Sequence, residues 1–343
     1  MKVIQIFDSS RNEWDQFVHT VPGYTVYHRY LWRTIIEKSF GHAGYYLAAV
    51  DDDGEWRGVL PLIHMQSRLF GSFLVSVPFV NYGGVVATLP EAVAALLAES
   101  ERLRQRCGAS YVELRHIGSG LAGLPTRRHK VTMILELAGT ADEQWKRFNA
   151  KLRNQIRKPE KSGLVPEIGR LELLDGFYDV FARNMRDLGT PVYAKDFFRT
   201  VLSELSDSSV IVAVRYQGEI VAAGIAAWHG DAIEVPWASS ISDYKQFCPN
   251  NMLYWEAIKF AIGKGVHKFD FGRSTPDEGT YNFKKQWGAE SVPLSWQYLL
   301  PEGDRLPELN PRNPKYEIAI KVWQRLPVGV TRLIGPPIVR NIP

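Results

Sequence analysis

A chain of 343 residues, 45% hydrophobic and 23% charged, is long enough for two globular domains of ordinary size. Its net charge of +4 argues against a dedicated nucleic-acid-binding protein. The two cysteines, Cys107 and Cys248, form no CxxC pair. The histidines also lack metal-ligand spacing, so no metal site is expected.

The sequence contains no recognisable sorting signal, which predicts a cytoplasmic protein, with peripheral contact to the inner membrane as a further possibility. The N-terminal segment is interrupted by charge too soon for a signal peptide. No apolar run approaches the ~20 residues that span a bilayer. The sequence does not reveal the oligomeric state, and a monomer is consistent with it.

A run of helix, hairpin, helix and strand is predicted between residues 27 and 116. Its hairpin turns at Asp53-Gly54, between alternating or apolar runs. The predicted elements are an aromatic amphipathic helix Tyr27 to Phe40, strands Tyr45 to Val50 and Trp56 to Met65, a helix Glu91 to Arg106 and a strand Ser110 to His116.

The same run recurs roughly 160 residues further along the chain. Its elements are a helix Phe197 to Leu205, strands Val210 to Tyr216 and Ile220 to Trp228, a helix Asn251 to Ile262 and a strand Val266 to Phe271. The shared order and near-constant offset favour an internal duplication. Chance similarity is the alternative, because many α/β chains contain helices and hairpins in this order.

Mixed helices and hairpins predict an α/β or α+β fold. Neither GxGxxG after a strand nor GxxxxGK[ST] is present, so dinucleotide and Walker-type phosphate binding are not supported. The segment Asp142 to Gly163 is predicted to be one helix joining the halves. A short helix, Lys315 to Arg325, follows a proline-rich connection and is predicted to dock on a folded body.

The densest polar motif is Phe269-Asp270-Phe271-Gly272-Arg273-Ser274, followed by Tyr281-Asn282-Phe283-Lys284-Lys285-Gln286-Trp287-Gly288. A strand ending at Gly272 would expose Arg273 and Ser274 at its carboxyl end, where ligands of α/β sheets commonly bind. Lys284 and Arg273 could then neutralise a phosphate or an oxyanion. The alternative is structural: Asp270 tethers Arg273, and Phe283 and Trp287 are simply packed.

These motifs carry a resemblance to a known family. Together with the runs Asn250 to Ala257, Lys151 to Lys158, Met185 to Pro191 and Val77 to Gly84, they resemble Fem-type transferases, and most of all the FemAB-related subgroup of exosortase and exopolysaccharide loci. The resemblance covers nearly the whole chain. It implies two tandem acetyltransferase-like (GNAT) domains, at 1–145 and 146–300, with a C-terminal segment, 301–343, that returns to the first domain.

The resemblance also implies a function, an enzyme that moves an acyl or aminoacyl group to an amine of a cell-envelope, peptidoglycan-type or exopolysaccharide precursor. Lys284 would stabilise charge in the acyl-transfer site and Phe283 would shape it. Arg273, Ser274 and Tyr281 would line it. The amine attacks directly, so no protein nucleophile is required, and Asp270 is a candidate proton acceptor.

The donor stays undetermined between acyl-CoA and aminoacyl-tRNA, and no permanently bound cofactor is expected. The long helical arm of some Fem proteins has no counterpart here, and the GNAT pyrophosphate loop motif is not found. The cation-rich stretch Lys151 to Lys161 could contact phosphates of a donor or a tRNA, although a solvated linker helix explains it too.

Three further points have two interpretations each. Asn81 and Tyr82, before Gly83-Gly84, are either part of a close-approach loop for substrate or part of a strand-ending turn. The basic tail after Glu317 either contacts an anionic membrane peripherally or packs on the first domain. The whole chain could also be a non-catalytic protein that binds a glycan or nucleotide-sugar precursor.

Overall fold

The computed structural model describes residues 1–67, 70–307 and 314–342, with the side chains of residues 314–316 outside that description. The chain divides into two compact units. Unit 1 comprises Met1–Lys130, Val292–Glu308 and Arg340–Pro343, and unit 2 comprises Val131–Ser291 and Leu309–Val339. The division differs from the three consecutive segments expected from the sequence.

Unit 1 is a mixed sheet with helices. Its strands and helices are β1 (Lys2–Ile6), α1 (Arg11–Thr20), α2 (Leu31–Phe40), β2 (Ala43–Val50), β3 (Trp56–Ser67), β4 (Gly71–Val75), β5 (Val86–Ala87), α3 (Pro90–Arg106), β6 (Val112–Ile117) and β7 (Thr126–Arg127), to which β14 (Glu290–Leu299) is added late in the chain. The sheet order is β1-β2-β3-β4-β6-β14, while β5 pairs with β3 and β7 with β14.

Unit 2 is also a mixed sheet with helices. Its elements are β8 (Val131–Glu136), α4 (Ala141–Arg147), α5 (Ala150–Lys161), β9 (Leu164–Gly169), α6 (Leu174–Leu188), α7 (Lys195–Glu204), β10 (Ser209–Tyr216), β11 (Glu219–His229), β12 (Ala232–Ser240), α8 (Pro249–Gly263), β13 (Lys268–Ser274), α9 (Gly279–Lys285), α10 (Pro314–Arg325) and α11 (Val328–Val339). The sheet order is β8-β13-β12-β11-β10-β9.

The two sheets share one pattern of strand directions. Reading from β1 in unit 1 and from β9 in unit 2, three antiparallel pairings are followed by a parallel pairing and then by an antiparallel sixth strand. A helix connects the parallel strands in both units, α3 in unit 1 and α8 in unit 2. This agreement extends beyond the predicted hairpins and supports the internal duplication.

The sheet of unit 2 is covered on both faces. On one face, Val210, Val212 and Val214 of β10 belong to a core cluster with α5 and α8. On the other, α6 packs on β11 and β12, and Phe197 and Phe198 of α7 pack edge-on against a tryptophan of β12. Alternate side chains of a strand point to opposite faces, which explains the near-continuous apolar sequence of β10.

The single helix predicted over Asp142 to Gly163 is two helices, α4 and α5. Phe148 leaves the helical conformation with a ψ of 142°. Asn149 then acts as an N-cap, because its side-chain oxygen accepts a hydrogen bond from the Leu152 N–H at 2.9 Å. An asparagine inside a helical pattern was the available signal for this break.

The C-terminal helices α10 and α11 both pack against α6 in unit 2. Arg332 of α11 donates to the Asp179 carboxylate at 2.6 Å. After α11 the chain rejoins unit 1 at Arg340. The Arg340 guanidinium donates to the Phe40 carbonyl at 2.7 Å. Of the predicted segment 301–343, only the residues up to Glu308 and Arg340–Pro343 therefore belong to unit 1, and the expected return of the whole segment to the first domain is wrong for Leu309–Val339.

A search of the described residues for long, apolar helices found none able to cross a membrane.

The break between α4 and α5 gives a first prediction. Replacing the N-cap, Asn149→Ala, should lower the free energy of unfolding by about 1 kcal/mol, whereas Asn149→Asp should preserve it. Asn154→Ala, at an exposed position inside α5, is the matched control and should be neutral or slightly stabilising. Urea denaturation followed by circular dichroism measures all three, and equal losses for the two alanine variants would contradict the assignment.

Candidate active site

The candidate site of unit 2 lies where two parallel strands separate. Strands β12 and β13 pair over three residue pairs, of which the last is Glu234 with Asp270. Beyond this pair β12 continues to Ser240 and β13 to Ser274. The separation lies at the carboxyl ends of the parallel strands, the edge where α/β sheets commonly bind ligands.

A bulge in β13 accompanies the separation. The register of β13 with β8 shifts between Asp270 and Arg273. Gly272 in the bulge has a φ of +74°, a conformation that only glycine adopts without strain. Lys284 of α9 reaches this bulge, and its Nζ donates to the carbonyls of Gly272 at 2.9 Å and Arg273 at 3.0 Å.

The Lys284 ammonium is a buried cation, because only 7% of the residue is exposed. Burial lowers its pKa from 10.5 to about 8, while the carboxylates of Asp270 and Glu234 oppose the lowering. The lysine thus remains largely charged at neutral pH. Its two hydrogen bonds to carbonyls use two of the three N–H donors of the ammonium.

Both carboxylates near Lys284 are buried as well. Asp270 is 7% exposed and Glu234 is 6% exposed. One oxygen of Asp270 accepts hydrogen bonds from the Thr132 hydroxyl at 2.5 Å and from the Gly272 N–H at 2.7 Å. These bonds favour an anchoring role for Asp270, which orients the bulge and balances the lysine charge.

The other residues predicted from the C-terminal motif lie close by in sequence but differ in exposure. Arg273 is exposed, as expected, whereas Ser274 is only 3% exposed. Tyr281 and Phe283 are half-buried and pack against the core cluster of unit 2. The Phe283 ring lies 5.4 Å from the Tyr254 ring, so it also serves ordinary packing.

Two buried polar groups of unit 2 have hydrogen-bond donors that no described residue accepts from. The Ser274 hydroxyl and the Asn251 side-chain N–H group have no hydrogen-bond partner among the described residues. Asn251 is 6% exposed and lies in the first turn of α8, directly after the αL residue Cys248 and Pro249. Amide groups at a helix N-terminus favour anionic ligands.

In unit 1, Asn81 and Tyr82 lie in the loop that follows β4. Val77 and Phe79 in this loop have φ values of 52° and 69°, which are strained for residues with a side chain. Tyr82 is buried, with its ring 5.9 Å from the Tyr27 ring, whereas Asn81 is half-buried. Such strain is consistent with a substrate loop, but the burial of Tyr82 shows that its ring is part of the core.

A buried arginine holds this loop. The Arg115 guanidinium donates to the Val80 carbonyl at 2.8 Å, and the Arg115 backbone carbonyl accepts from Gly83 and Gly84. Its charge is balanced by Glu113, at 2.8 Å. Glu113 occupies the last parallel pair of unit 1, opposite Val75, which is the position that Asp270 occupies in unit 2.

The cation-rich stretch of α5 borders a cavity of about 590 Å³ that also involves α4, α8 and β9. The Arg157 guanidinium lies over the Trp145 ring at 5.0 Å. None of the predicted site residues lines this cavity. Within the described ranges, no group of three or more His, Cys, Asp or Glu side chains could hold a metal ion.

Comparison with known proteins identifies the fold. Residues 146–285 match the family model described as an acetyltransferase (GNAT) domain. The crystal structure of FemX superposes with a TM-score of 0.68 at 16% identity, covering 87% of this chain and 98% of FemX. A tandem GNAT protein from the clavulanic acid biosynthesis pathway gives a TM-score of 0.54 at 10% identity, covering 87% and 98%. The chain has a tandem GNAT-like fold.

A curated relative at the sequence level is a Lipid II:glycine glycyltransferase of Staphylococcus haemolyticus (strain JCSC1435). It is 27% identical over 126 residues, which span 33% of this chain and 30% of the glycyltransferase. The GNAT-like fold class predicted from the sequence is therefore confirmed, and relatives of the Fem type are found. The subgroup of exosortase loci stays a prediction.

Sequence reasoning missed Glu234 and Thr132, which lie on strands distant in sequence from the polar-glycine motif. Glu234 is an acid inside an otherwise apolar strand, Ala232–Ser240. A charged residue in a buried strand usually has a partner. That was the signal, but the register that brings it beside Asp270 could not be read from the sequence.

The buried lysine predicts an unusual pH dependence of stability. Unfolded Lys284 has a pKa near 10.5 and the folded residue one of about 8. Between these values the unfolded state binds the additional proton, so the free energy of unfolding rises with pH. Relative to Lys284→Met, the wild type should gain up to about 3 kcal/mol between pH 8 and 10.5.

Guanidinium denaturation of both proteins across that range measures the difference. The variant also leaves two carbonyls without their donor, but that cost does not depend on pH and cancels in the comparison. Parallel curves for the two proteins would contradict a buried, titrating lysine.

Proposed function

We propose that this protein is an acyl- or aminoacyltransferase, and that unit 2 moves the group from an activated ester or thioester to an amine. The observation that carries the proposal is the buried Lys284 ammonium beneath the β13 bulge, within the segment that matches the GNAT domain model. A positive charge fixed near the reacting carbonyl would stabilise the oxyanion that forms in such a transfer.

The separation of β12 and β13 suits an extended donor. Within the described chain, the register of the pair ends at Glu234 and Asp270 while both strands continue. An extended acyl-carrying chain can lie between separating strands and hydrogen-bond to their backbone edges. The unused Asn251 and Ser274 donors, with the N-terminus of α8, would suit the phosphates of such a donor.

The transfer reaction is an attack of a neutral amine on the donor carbonyl carbon. A carbon–nitrogen bond forms, the carbonyl oxygen becomes an oxyanion, and the bond to the leaving sulfur or oxygen then breaks. The proton lost by the amine finally resides on the leaving group. The third N–H of Lys284 would stabilise the oxyanion, and its burial strengthens the interaction because little water screens it.

The other predicted residues have supporting roles in this proposal. Phe283, packed beside Tyr254, would form an apolar wall of the acyl site, and Tyr281 and Arg273 would line its rim. Asp270 would keep Lys284 charged. The loop with Asn81 and Tyr82 would contribute to acceptor binding in unit 1, since Arg115 fixes its conformation.

The acceptor we propose is an amine on a cell-envelope precursor of the peptidoglycan or exopolysaccharide type. A Lipid II:glycine glycyltransferase is similar to part of the chain, which supports this class. The donor would be acyl-CoA or aminoacyl-tRNA. The GNAT match supports the first, while the exposed cations Lys151 and Lys158 of α5 would suit the phosphates of the second.

The proposal predicts that Lys284→Met lowers kcat at least about 100-fold while KM changes less, because the charge acts in the transition state. Wild-type kcat should also fall as pH rises through about 8, the pKa of Lys284. Transfer is measured with isotope-labelled acyl-CoA and aminoacyl-tRNA donors and envelope-precursor amines, with melting curves recorded in parallel.

The neighbouring exposed lysine supplies the control. Lys285→Met removes an equal charge one residue away, where the side chain is exposed, and should leave kcat nearly unchanged. Retention of activity in folded Lys284→Met would reduce the lysine to a structural role. Transfer from neither donor, together with binding of the precursor by the wild type, would favour the non-catalytic precursor-binding alternative.

A further inference from the structure

Helix α11 turns its large aliphatic side chains outward. The exposed fractions are 77% for Leu333, 40% for Val330, and 38% each for Ile334 and Ile338. Their spacing places all four on one side of the helix. The residues that α11 buries are Thr331, Gly335 and Val339.

The contacts that attach α11 to unit 2 explain why its large aliphatic side chains are exposed. A Cβ on Gly335 would lie 2.9 Å from the Val192 backbone nitrogen, so the helix approaches the body of unit 2 closely through a small residue. Arg332 pairs with Asp179, and its guanidinium lies 5.4 Å from the Tyr178 ring centre. Thr331, Gly335, Arg332 and Val339 thus hold the helix, and the four outward aliphatic residues are not needed for its docking.

Helix α10 continues the same kind of surface. Ile318 is 65% exposed and Val322 is 56% exposed, four residues apart on one side of the helix. Lys321 and Arg325 lie on that side too and are exposed. Trp323, at 9% exposed, faces the body of the unit.

The charge of this segment has a single sign. After Glu317 the sequence contains Lys321, Arg325, Arg332 and Arg340 and no acidic residue. Exposed aliphatic side chains flanked by cations are the combination that binds the interface of an anionic bilayer. A symmetric pairing of two copies would instead place like charges opposite each other, which is unfavourable.

We propose that α10 and α11 dock on an anionic phospholipid membrane through their exposed aliphatic side chains, Ile318, Val322, Val330, Leu333, Ile334 and Ile338. The aliphatic side chains enter the headgroup region while Lys321 and Arg325 contact lipid phosphates. The proposal is independent of the transfer reaction, because it uses no residue of the candidate active site.

Sedimentation of the full chain with vesicles tests this docking. Vesicles of equal parts phosphatidylcholine and phosphatidylglycerol should bind the wild type, and pure phosphatidylcholine vesicles should bind it at least about tenfold more weakly. The double variant Leu333→Asp with Ile338→Asp should lose at least about tenfold of the binding to anionic vesicles. Both positions are exposed, so circular dichroism and melting curves should remain unchanged.

A matched control adds the same two charges elsewhere on unit 2. Val165→Asp with Ile168→Asp changes two aliphatic residues of β9 that are 60% and 41% exposed, and we expect it to bind within about threefold of the wild type. Equal losses in both double variants would overturn the proposal, since net charge would then explain them. Absence of vesicle binding would overturn it too. So would a dimer of the wild type in light scattering, if only the Leu333→Asp with Ile338→Asp variant dissociates it, because these side chains would then join two copies of the chain.

Discussion

The organisation of unit 2 depends on one buried ammonium group and on the partners that compensate its charge. Lys284 donates to two carbonyls at the β13 bulge, and a buried charge of this kind is tolerated only with compensating partners. Asp270 and Glu234 supply them from the last residue pair before the strands separate. The same contacts therefore stabilise the bulge and fix one ammonium group at the edge of the sheet where the strands separate.

Unit 1 also has a buried acidic residue in its parallel strand pair, but a different cation compensates its charge. Glu113 lies at the corresponding position of the parallel pair, and its buried partner is Arg115, two residues later on the same strand. Arg115 fixes the strained loop after β4 through the Val80 carbonyl. The two units thus share the position of a buried acid, while the cation beside it is an arginine on the same strand in unit 1 and a lysine on a short helix in unit 2.

The sequence predicted the elements that have strong periodicity or clear turns. The hairpin at Asp53-Gly54, helices α3 and α8 and strand β13 were each found within a few residues of their observed bounds. It did not predict the sixth strands β8 and β14, because strand pairing between distant segments leaves no local pattern. For the same reason the sequence did not predict the partners that enclose Lys284, because only the tertiary fold brings them together.

The helices at the C-terminal end show a related limit. The pattern of α10 predicted a docking helix, and it does dock, but the surface it uses belongs to unit 2. Helix α11 also docks on unit 2, through a close approach at Gly335, and a glycine carries no hydrophobic signal. The exposed aliphatic residues of α11 would have been assigned to a buried face by hydrophobicity alone.

The most direct test of the account is the titration of Lys284 itself. In carbon-13 spectra of lysine-labelled protein, the Lys284 Cε resonance is assigned by its loss in Lys284→Met. We expect an apparent pKa of about 8, well below that of an ordinary exposed lysine. A titration at the ordinary value, close to 10.5, would show that the ammonium is not buried among these partners and would contradict the central claim.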